Sequence, residues 1–328
     1  MDARDRPSGD MADNKVAAMR KIQDWQARSV INRSHDGNHY GFEASLNPYR
    51  GCAHGCHYCY ARETHRYLGL DLGEDFVQRL FVKKNLGTRL VDELRRLPLQ
   101  QVLAVGTATD PYQSLEGRYR LTRQVLEAVL ESGHALTITT KSPLIVRDLD
   151  LLRQLAANGQ VVVHISLISL DRDLLRTLEP GAPSPKVRLD TIERLAVHMP
   201  VVLFAAPVVP YLTDQVPQLD TLYAAARAAG ATAVMASRMR LSPVLKPYFL
   251  DWLRLYHPPL LPAYQRLYPG LDQFPNDPYS QALKRLLAEL AERHGLAVDL
   301  PRPSARRQLA QPQFDFMHHD PTPDYHHA

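Results

Sequence analysis

The sequence predicts an α/β protein built on a parallel sheet, and three observations carry that prediction. Short β-branched or apolar runs alternate with longer segments of helical period, which is the pattern of βα units. The runs begin at residue 42 and, from residue 101 onward, recur about every 25–40 residues. Several, such as Val161-Val162-Val163 and Val201-Val202-Leu203-Phe204, are apolar without alternation, as expected of strands covered by helices on both faces. Six strands are expected, over 42–47, 101–107, 135–140, 160–168, 201–208 and 232–237. Six such units either close partly into a barrel or lie as an open doubly wound sheet, and periodicity does not separate the two. In both arrangements ligands collect at the C-terminal ends of the strands, so chemistry is to be sought in the polar residues directly after each one.

Taken in order, residues 1–38 are polar and weakly periodic and are expected to form an N-terminal arm, partly disordered, with a short helix near 16–27. The core follows over 39–240. Leu86, Leu90, Val91, Leu94 and Leu97 share one helix face, as do Leu121, Val125, Leu126, Val129 and Leu130, with Gly133 placed to end the second helix. Arg147-Asp148-Leu149-Asp150 gives the next helix an acidic first turn. After residue 240 the composition changes to Pro- and aromatic-rich sequence, including Pro243, Pro247, Tyr248, Phe249 and Tyr256, followed by a helix near 278–294. Residues 241–328 are therefore expected to be a helical, Pro/aromatic-rich extension that caps the core and ends in a polar tail. The pairs His318-His319 and His326-His327 in that tail are read as a solvated end.

A length of 328 residues suffices for one large domain or two modest ones. The balance of 39 Lys plus Arg against 35 Asp plus Glu gives a net charge of +4, and 45% hydrophobic residues exclude a wholly disordered chain. No apolar run approaches the roughly 18 residues of a membrane span, and the best, 201–209, is broken by Pro207. The opening lacks the apolar core of a secretory signal, so a cytoplasmic location is expected.

The cysteines are the most informative feature. All three fall together as Cys52-x-x-x-Cys56-x-x-Cys59, and an odd number argues against a secreted disulfide framework. Side chains alternate along a strand, so thiols at this spacing cannot line one strand face. Residues 50–60 are thus a loop wrapped around something, with Gly51 and Gly55 relaxing the backbone. One candidate is a structural zinc ion closed by His54, His57 or His65 as fourth ligand. The other is a cubane iron–sulfur cluster held by three cysteines, with one iron left open. Structural zinc sites usually draw ligand pairs from two separated places, so a single compact loop favours the cluster.

This loop, with Tyr58 directly before the last cysteine and a six-unit βα pattern behind it, resembles the radical S-adenosylmethionine (radical SAM) superfamily. The string Ser45-Leu46-Asn47-Pro48-Tyr49-Arg50-Gly51-Cys52, continued by Cys59-Tyr60-Ala61-Arg62, is similar to the subgroup related to spore photoproduct lyase, often described as DNA repair photolyase-like. So are Gly106 to Gln113, Thr139-Thr140-Lys141-Ser142, Val163-His164-Ile165-Ser166, and Leu178-Glu179-Pro180-Gly181 with Ser184-Pro185. The match runs from about Asn32 to Leu250.

The resemblance implies a partial (βα)6 TIM-type barrel of the radical SAM type, holding a [4Fe-4S] cluster and S-adenosylmethionine. It implies that an electron from the cluster cleaves a sulfonium C–S bond and that a 5′-deoxyadenosyl radical then takes a substrate hydrogen. By position it implies Cys52, Cys56 and Cys59 as cluster ligands and Tyr58 beside the adenine. Thr107 and Asp110 fall where the family binds the methionine ammonium, Lys141 where it binds the carboxylate, and Ser166 where it contacts the ribose. It also implies an electron donor such as flavodoxin or ferredoxin, a monomer, and no membrane.

Plainer roles exist for several of these residues. Asp110-Pro111 suits an ordinary strand-end turn, Lys141 a surface, and Ser166 a satisfied core position. His164 reads as a hydrogen-bonded core histidine, and Glu179 and Arg188 each as a residue that simply pairs at the surface. Arg118, Arg120 and Arg123 follow the second strand, and Arg238 and Arg240 the sixth. Converging, they would attract phosphates and suit a nucleic-acid substrate; dispersed, they are solvated helix flanks. Spore photoproduct lyases are associated with an additional cysteine that returns hydrogen to the product, and this chain has no fourth cysteine. Tyr112 or Tyr211 is the candidate in its place. The expected function is a radical SAM enzyme of unknown substrate, with nucleic acid foremost. The alternative is a non-catalytic, zinc-stabilised (Cys3His) nucleic-acid-binding module.

Overall fold

A computed structural model describes residues 20–33 and 42–306. Ten strands occur among them: β1 (Lys21–Trp25), β2 (Ile31–Arg33), β3 (Ala44–Leu46), β4 (Tyr49–Arg50), β5 (Arg79–Lys83), β6 (Val102–Val105), β7 (Ala135–Thr140), β8 (Val161–Ser166), β9 (Val201–Val208) and β10 (Ala233–Arg238). Seven form one sheet in the order β10-β9-β8-β7-β6-β3-β2, parallel throughout except where β2 runs antiparallel to β3. Its six parallel strands coincide with the six expected from sequence. Their order follows the chain without reversal, which is how a barrel winds; a doubly wound sheet reverses at a switch point. The sheet is a partial TIM-type barrel whose edges are β10 and β2.

The two faces of β7 differ as a barrel strand requires. Leu136 and Ile138 are fully buried under the helical layer, whereas Thr137 and Thr139, on the opposite side, are only half-buried. The helix Leu121–Ser132 buries Leu121, Val125, Leu126 and Val129 and ends at Gly133, as its periodicity predicts. The helix Leu86–Leu94 buries Leu86, Leu90 and Leu94, but Val91, expected on the same face, is exposed.

A second sheet, β1-β5-β4, was not legible in the sequence. β1 lies parallel to β5, with Lys21 opposite Arg79 and Trp25 opposite Lys83, and β4 lies antiparallel on the other side of β5. The helix expected near 16–27 is therefore corrected: residues 21–25 are strand, and residues 16–19 lie outside the described residues. Pairing with β5 overrides a weak helical period, and Trp25 adds an edge-on contact with Phe81 at 5.5 Å and lies under the Arg50 guanidinium at 5.2 Å.

In the C-terminal extension, the helix Asp277–Arg293 packs on β10 and on the helix Val216–Ala228. Val234 N donates to Ala297 O at 2.9 Å, and Ala297 N donates to Thr232 O at 3.0 Å, so the chain partly covers the β10 edge. The helix Leu245–Tyr256 lies over the cysteine loop. The paired histidines of the tail lie outside the described residues. Among the described residues no helix is long and apolar enough to cross a membrane.

Candidate functional site

The cysteine loop leaves β4 at Arg50 and turns at Gly51, where φ is 77°. A Cβ there would stand 2.9 Å from both Leu80 Cδ2 and Phe76 O, so glycine serves both conformation and space. Three distant segments strap the loop down. Cys52 N donates to Phe76 O at 3.1 Å and Ala53 N to Gln113 Oε1 at 2.9 Å, while Thr109 Oγ1 and Gln113 Nε2 donate to Gly51 O. From the far side, His57 N donates to Leu178 O and Gly181 N to His54 O, each at 2.9 Å. Gly181 approaches so closely that an added Cβ would lie 2.2 Å from Ala53 O.

Cys52 and Cys56 are buried, Cys59 is half-buried, and none is in a disulfide. Burial pushes the Cys56 and Cys59 thiols up, and each is pushed further by the charge of the neighbouring cysteines. For Cys52 burial acts in the same direction, but the charge and hydrogen bond of His54 outweigh it and hold the thiol below its usual range. Of the three histidines considered as a fourth zinc ligand, His57 and His65 each keep a buried Nδ1 without a hydrogen-bond partner among the described residues. His54 Nδ1 lies 3.3 Å from Asp110 Oδ2, His57 stacks between Tyr248 and Trp252, and His65 Nε2 lies 3.0 Å from Arg79 O. Among the described residues no three His, Cys, Asp or Glu side chains close around the position of a single metal ion. Three thiols on one loop, without a fourth protein ligand, are a donor set that fits a cluster with one open iron.

Behind the loop lies Arg62, a residue sequence reasoning passed over. It is 1% exposed and is held only by carbonyls among the described residues: Nε donates to Cys56 O at 2.8 Å, Nη1 to Leu72 O and Gly73 O at 2.8 Å, and Nη2 to Gly55 O. Phe76 and Tyr248 flank the guanidinium, with ring centroids at 5.2 and 4.6 Å. A buried cation without a carboxylate partner is costly unless negative charge lies near, and the cysteines of the same loop would supply it as thiolates when they hold a cluster.

Beside the strand ends, Tyr58, Lys141 and Ser166 come together in one network. Lys141 Nζ donates to Ser166 Oγ at 2.9 Å, lies 3.8 Å from Glu179 Oε1, and sits 5.9 Å from the Tyr58 ring centroid. Tyr58 OH donates to Glu179, and Glu179 accepts from Arg188 on its other oxygen; all three side chains are buried. Burial works against the Glu179 charge, but Arg188 and Lys141 hold its carboxyl below the usual range. Burial likewise opposes the Lys141 charge, yet Cys56 and Glu179 raise its pKa. Glu179 and Arg188, each expected to pair at the surface, are instead buried against one another, and together they organise Tyr58 and Lys141.

At the end of β6, Thr107 Oγ1 accepts from Asn47 Nδ2 at 3.0 Å, and Thr107 O accepts from Tyr60 OH. Asp110 is buried and receives four donors: Tyr112 N at 2.8 Å and Thr140 Oγ1 at 2.7 Å on Oδ1, Lys141 N at 2.7 Å and His54 Nδ1 at 3.3 Å on Oδ2.

The remaining candidates divide. Tyr112 is buried and its OH donates to Asp148 Oδ2 at 3.1 Å, which ties it to a charge network with Glu116 and Arg147 rather than to the cysteine loop. Tyr211 follows β9, is 39% exposed and has φ 64°, an uncommon conformation outside glycine. His164 lies 3.4 Å from Thr139 Oγ1 through Nδ1, but its Nε2 has no partner, so it is not the fully bonded core histidine expected. Arg123 is consumed by Asp148, Asp150 and Glu127, whereas Arg118 lies over Tyr119, Arg238 over Phe274, and Arg240 donates to Gln273. Arg120, in the left-handed region at φ 52°, separates two helical turns.

Comparison with known proteins agrees with this geometry. The profile of the Radical SAM superfamily matches residues 46–220. An uncharacterized protein of Mycobacterium bovis is 38% identical over 274 residues, covering 83% of this chain and 80% of that protein. An uncharacterized protein of Methanocaldococcus jannaschii is 27% identical over 175 residues, 53% of this chain and 63% of that one. A spore photoproduct lyase variant is similar in fold, with TM-score 0.63 and 18% identity over 84% of this chain and 81% of that one. A second variant, with bound AdoMet and dinucleoside spore photoproduct, has TM-score 0.61 and 18% identity over 86% and 82%. With the profile spanning more than half of the chain and falling on the cysteine loop and the parallel strands, this protein belongs to the radical SAM superfamily and is an enzyme that works with a [4Fe-4S] cluster and S-adenosylmethionine.

Proposed function

We propose that this radical SAM enzyme acts on a nucleic-acid substrate, with Cys52, Cys56 and Cys59 holding the cluster and Tyr58, Thr107, Lys141 and Ser166 bordering S-adenosylmethionine. The observation that carries the site assignment is the convergence of Tyr58, Lys141 and Ser166 on buried Glu179 and Arg188, in electrostatic reach of Cys56. When bound, the cluster and S-adenosylmethionine supply an electron and an adenosyl group for radical abstraction of hydrogen.

The chain's own part is binding and orientation. Lys141 has three N–H donors, and its bond to Ser166 uses one. Glu179 at 3.8 Å balances its charge without a short contact, which suits an ammonium that takes a cofactor carboxylate. Anchoring of Tyr58 OH to Glu179 fixes the ring next to the last cysteine, where it would border the adenine. The nucleic-acid substrate rests on likeness: spore photoproduct lyase, similar in fold, has been solved with a dinucleoside spore photoproduct. All three cysteines lie in the cluster loop, so hydrogen return to a substrate must use another residue or a reductant, and Tyr211 is the exposed candidate. A small electron-transfer protein such as flavodoxin or ferredoxin would provide the electron.

Anaerobic reconstitution should give about four irons per chain, and reduction with S-adenosylmethionine should release 5′-deoxyadenosine at a rate that rises with single-stranded or duplex DNA. A rate indifferent to every oligonucleotide would remove the substrate assignment while leaving the enzyme class in place.

A further inference from the structure

The helix Asp277–Arg293 packs on β10 without closing fully against it, and a cleft of about 680 Å³ lies between them. The cleft shares no lining residue with the cysteine loop or with the network around Lys141, and its volume is that of a small-molecule site. Chain direction gives it two unlike ends. Ala297, which follows the helix, bridges to Ala233 at the start of β10, so Val298 and Leu300 line that end, joined by Leu287 from the second half of the helix. At the other end β10 finishes at Arg238, and Lys284 enters from the first half of the helix. Both cations are exposed, neither has a carboxylate partner among the described residues, and no Asp or Glu among them lines the cleft. The Arg238 guanidinium lies over the Phe274 ring at 4.4 Å, a contact that leaves its N–H donors free. Tyr223, from the helix Val216–Ala228, also lines the cleft. It is fully buried, and its hydroxyl has no hydrogen-bond partner among the described residues, an arrangement that is costly unless a bound group completes it.

We propose that this cleft binds a single-chain acyl ester or amide with an anionic head. The head sits at the Arg238 and Lys284 end, where charge is complementary, and the acyl chain runs along β10 toward Val298 and Leu300, where burial of apolar surface holds it. The acyl carbonyl accepts from the Tyr223 hydroxyl, supplying the partner that the chain does not.

The test is calorimetric titration of the full reconstituted chain with N-decanoylglycine, which has all three features. Beside it are run its methyl ester, which lacks the charge, and tridecanoate, which keeps charge and length but lacks the amide carbonyl. N-decanoylglycine should bind once per chain with Kd below about 1 mM, and the ester at least about tenfold more weakly. Arg238→Ala and Lys284→Ala should each weaken the acid by about tenfold and leave the ester unchanged. Wild type should prefer N-decanoylglycine to tridecanoate, and Tyr223→Phe should abolish that preference. Absence of binding, equal affinity for acid and ester, or unchanged affinity in both cation variants overturns the proposal, as does competition between the probe and S-adenosylmethionine. No preference over tridecanoate in wild type, or the same preference in Tyr223→Phe, overturns the assignment of the carbonyl. If Tyr223→Phe does not fold, the two exposed cation variants decide. Binding that appears only after residues 307–328 are removed, or a dimer that Val298→Asp dissolves, gives the cleft to the chain's own tail or to a second copy and overturns the proposal as well.

Discussion

Lys141 Nζ donates to Ser166 Oγ at 2.9 Å, joining the ends of the adjacent strands β7 and β8 at the point where both leave the barrel. Apart from the family resemblance each has a plainer reading, one as a surface lysine and the other as a core serine. Together with Glu179 they form a buried, charge-balanced contact beside the Tyr58 ring. Replacing Lys141 with Ala should weaken S-adenosylmethionine binding by about tenfold or more while leaving the iron content of the reconstituted protein intact. Calorimetric titration checks this, and unchanged affinity would take Lys141 out of the cofactor site.

Arg62 should prove indispensable to the cluster loop. Substitution by Met strands the carbonyls of Gly55, Cys56, Leu72 and Gly73 in the interior, at a cost of about 1–3 kcal/mol for each group left unsatisfied. Arg62→Lys should not restore it, because an ammonium cannot span four acceptors arranged around a planar fork. The measurement is iron per chain together with the thermal midpoint; full iron occupancy in Arg62→Met would contradict the role.

Gly181 predicts a steric effect at a distance from the cysteines in sequence. A Cβ would lie 2.2 Å from Ala53 O and 3.1 Å from His54 Cα, both backbone atoms of the loop. Gly181→Ala should displace that loop, lowering iron uptake and destabilising the chain by about 1–3 kcal/mol in denaturant unfolding. Wild-type iron content and stability would show that the 178–181 strap yields freely.

His164 gives a pH prediction. Burial lowers its pKa from 6.5 to about 4, so over this range the unfolded chain binds a proton that the folded chain does not. Its contribution is complete above 6.5 and is lost as the pH falls toward about 4. The stability of His164→Asn should therefore decline less steeply than that of wild type across this interval in denaturant titrations. Parallel slopes would mean that His164 is not held neutral.

Barrel strands such as β8 and β9 were legible because burial on both faces leaves near-continuous apolar runs, and the cysteine loop because three thiols at that spacing exclude a strand. The small sheet was not. β1 carries Lys21, Gln23 and Asp24, and only the edge of β5 makes it a strand. The site divides along the same line. Residue type and position marked Tyr58, Lys141 and Ser166, but the centre that gathers them, Glu179 with Arg188, depends on a contact between residues 58 and 179 that no local pattern records. Arg62 reads as an ordinary charged residue and becomes informative only through its burial and its carbonyl partners. His54 is a candidate zinc ligand because Cys3His closure is common, whereas the fold sets its ring against Asp110.

The central claim is that Cys52, Cys56 and Cys59 hold a [4Fe-4S] cluster with an iron open to S-adenosylmethionine. Electron paramagnetic resonance of the anaerobically reconstituted, reduced protein tests it most directly, recorded before and after S-adenosylmethionine is added. The expected result is the signal of a reduced [4Fe-4S] cluster whose g-values change on addition of the cofactor, and which is lost when any one of the three cysteines is replaced by Ala. Protein prepared without oxygen that carries stoichiometric zinc and no such signal, or a cluster signal indifferent to S-adenosylmethionine, would contradict it.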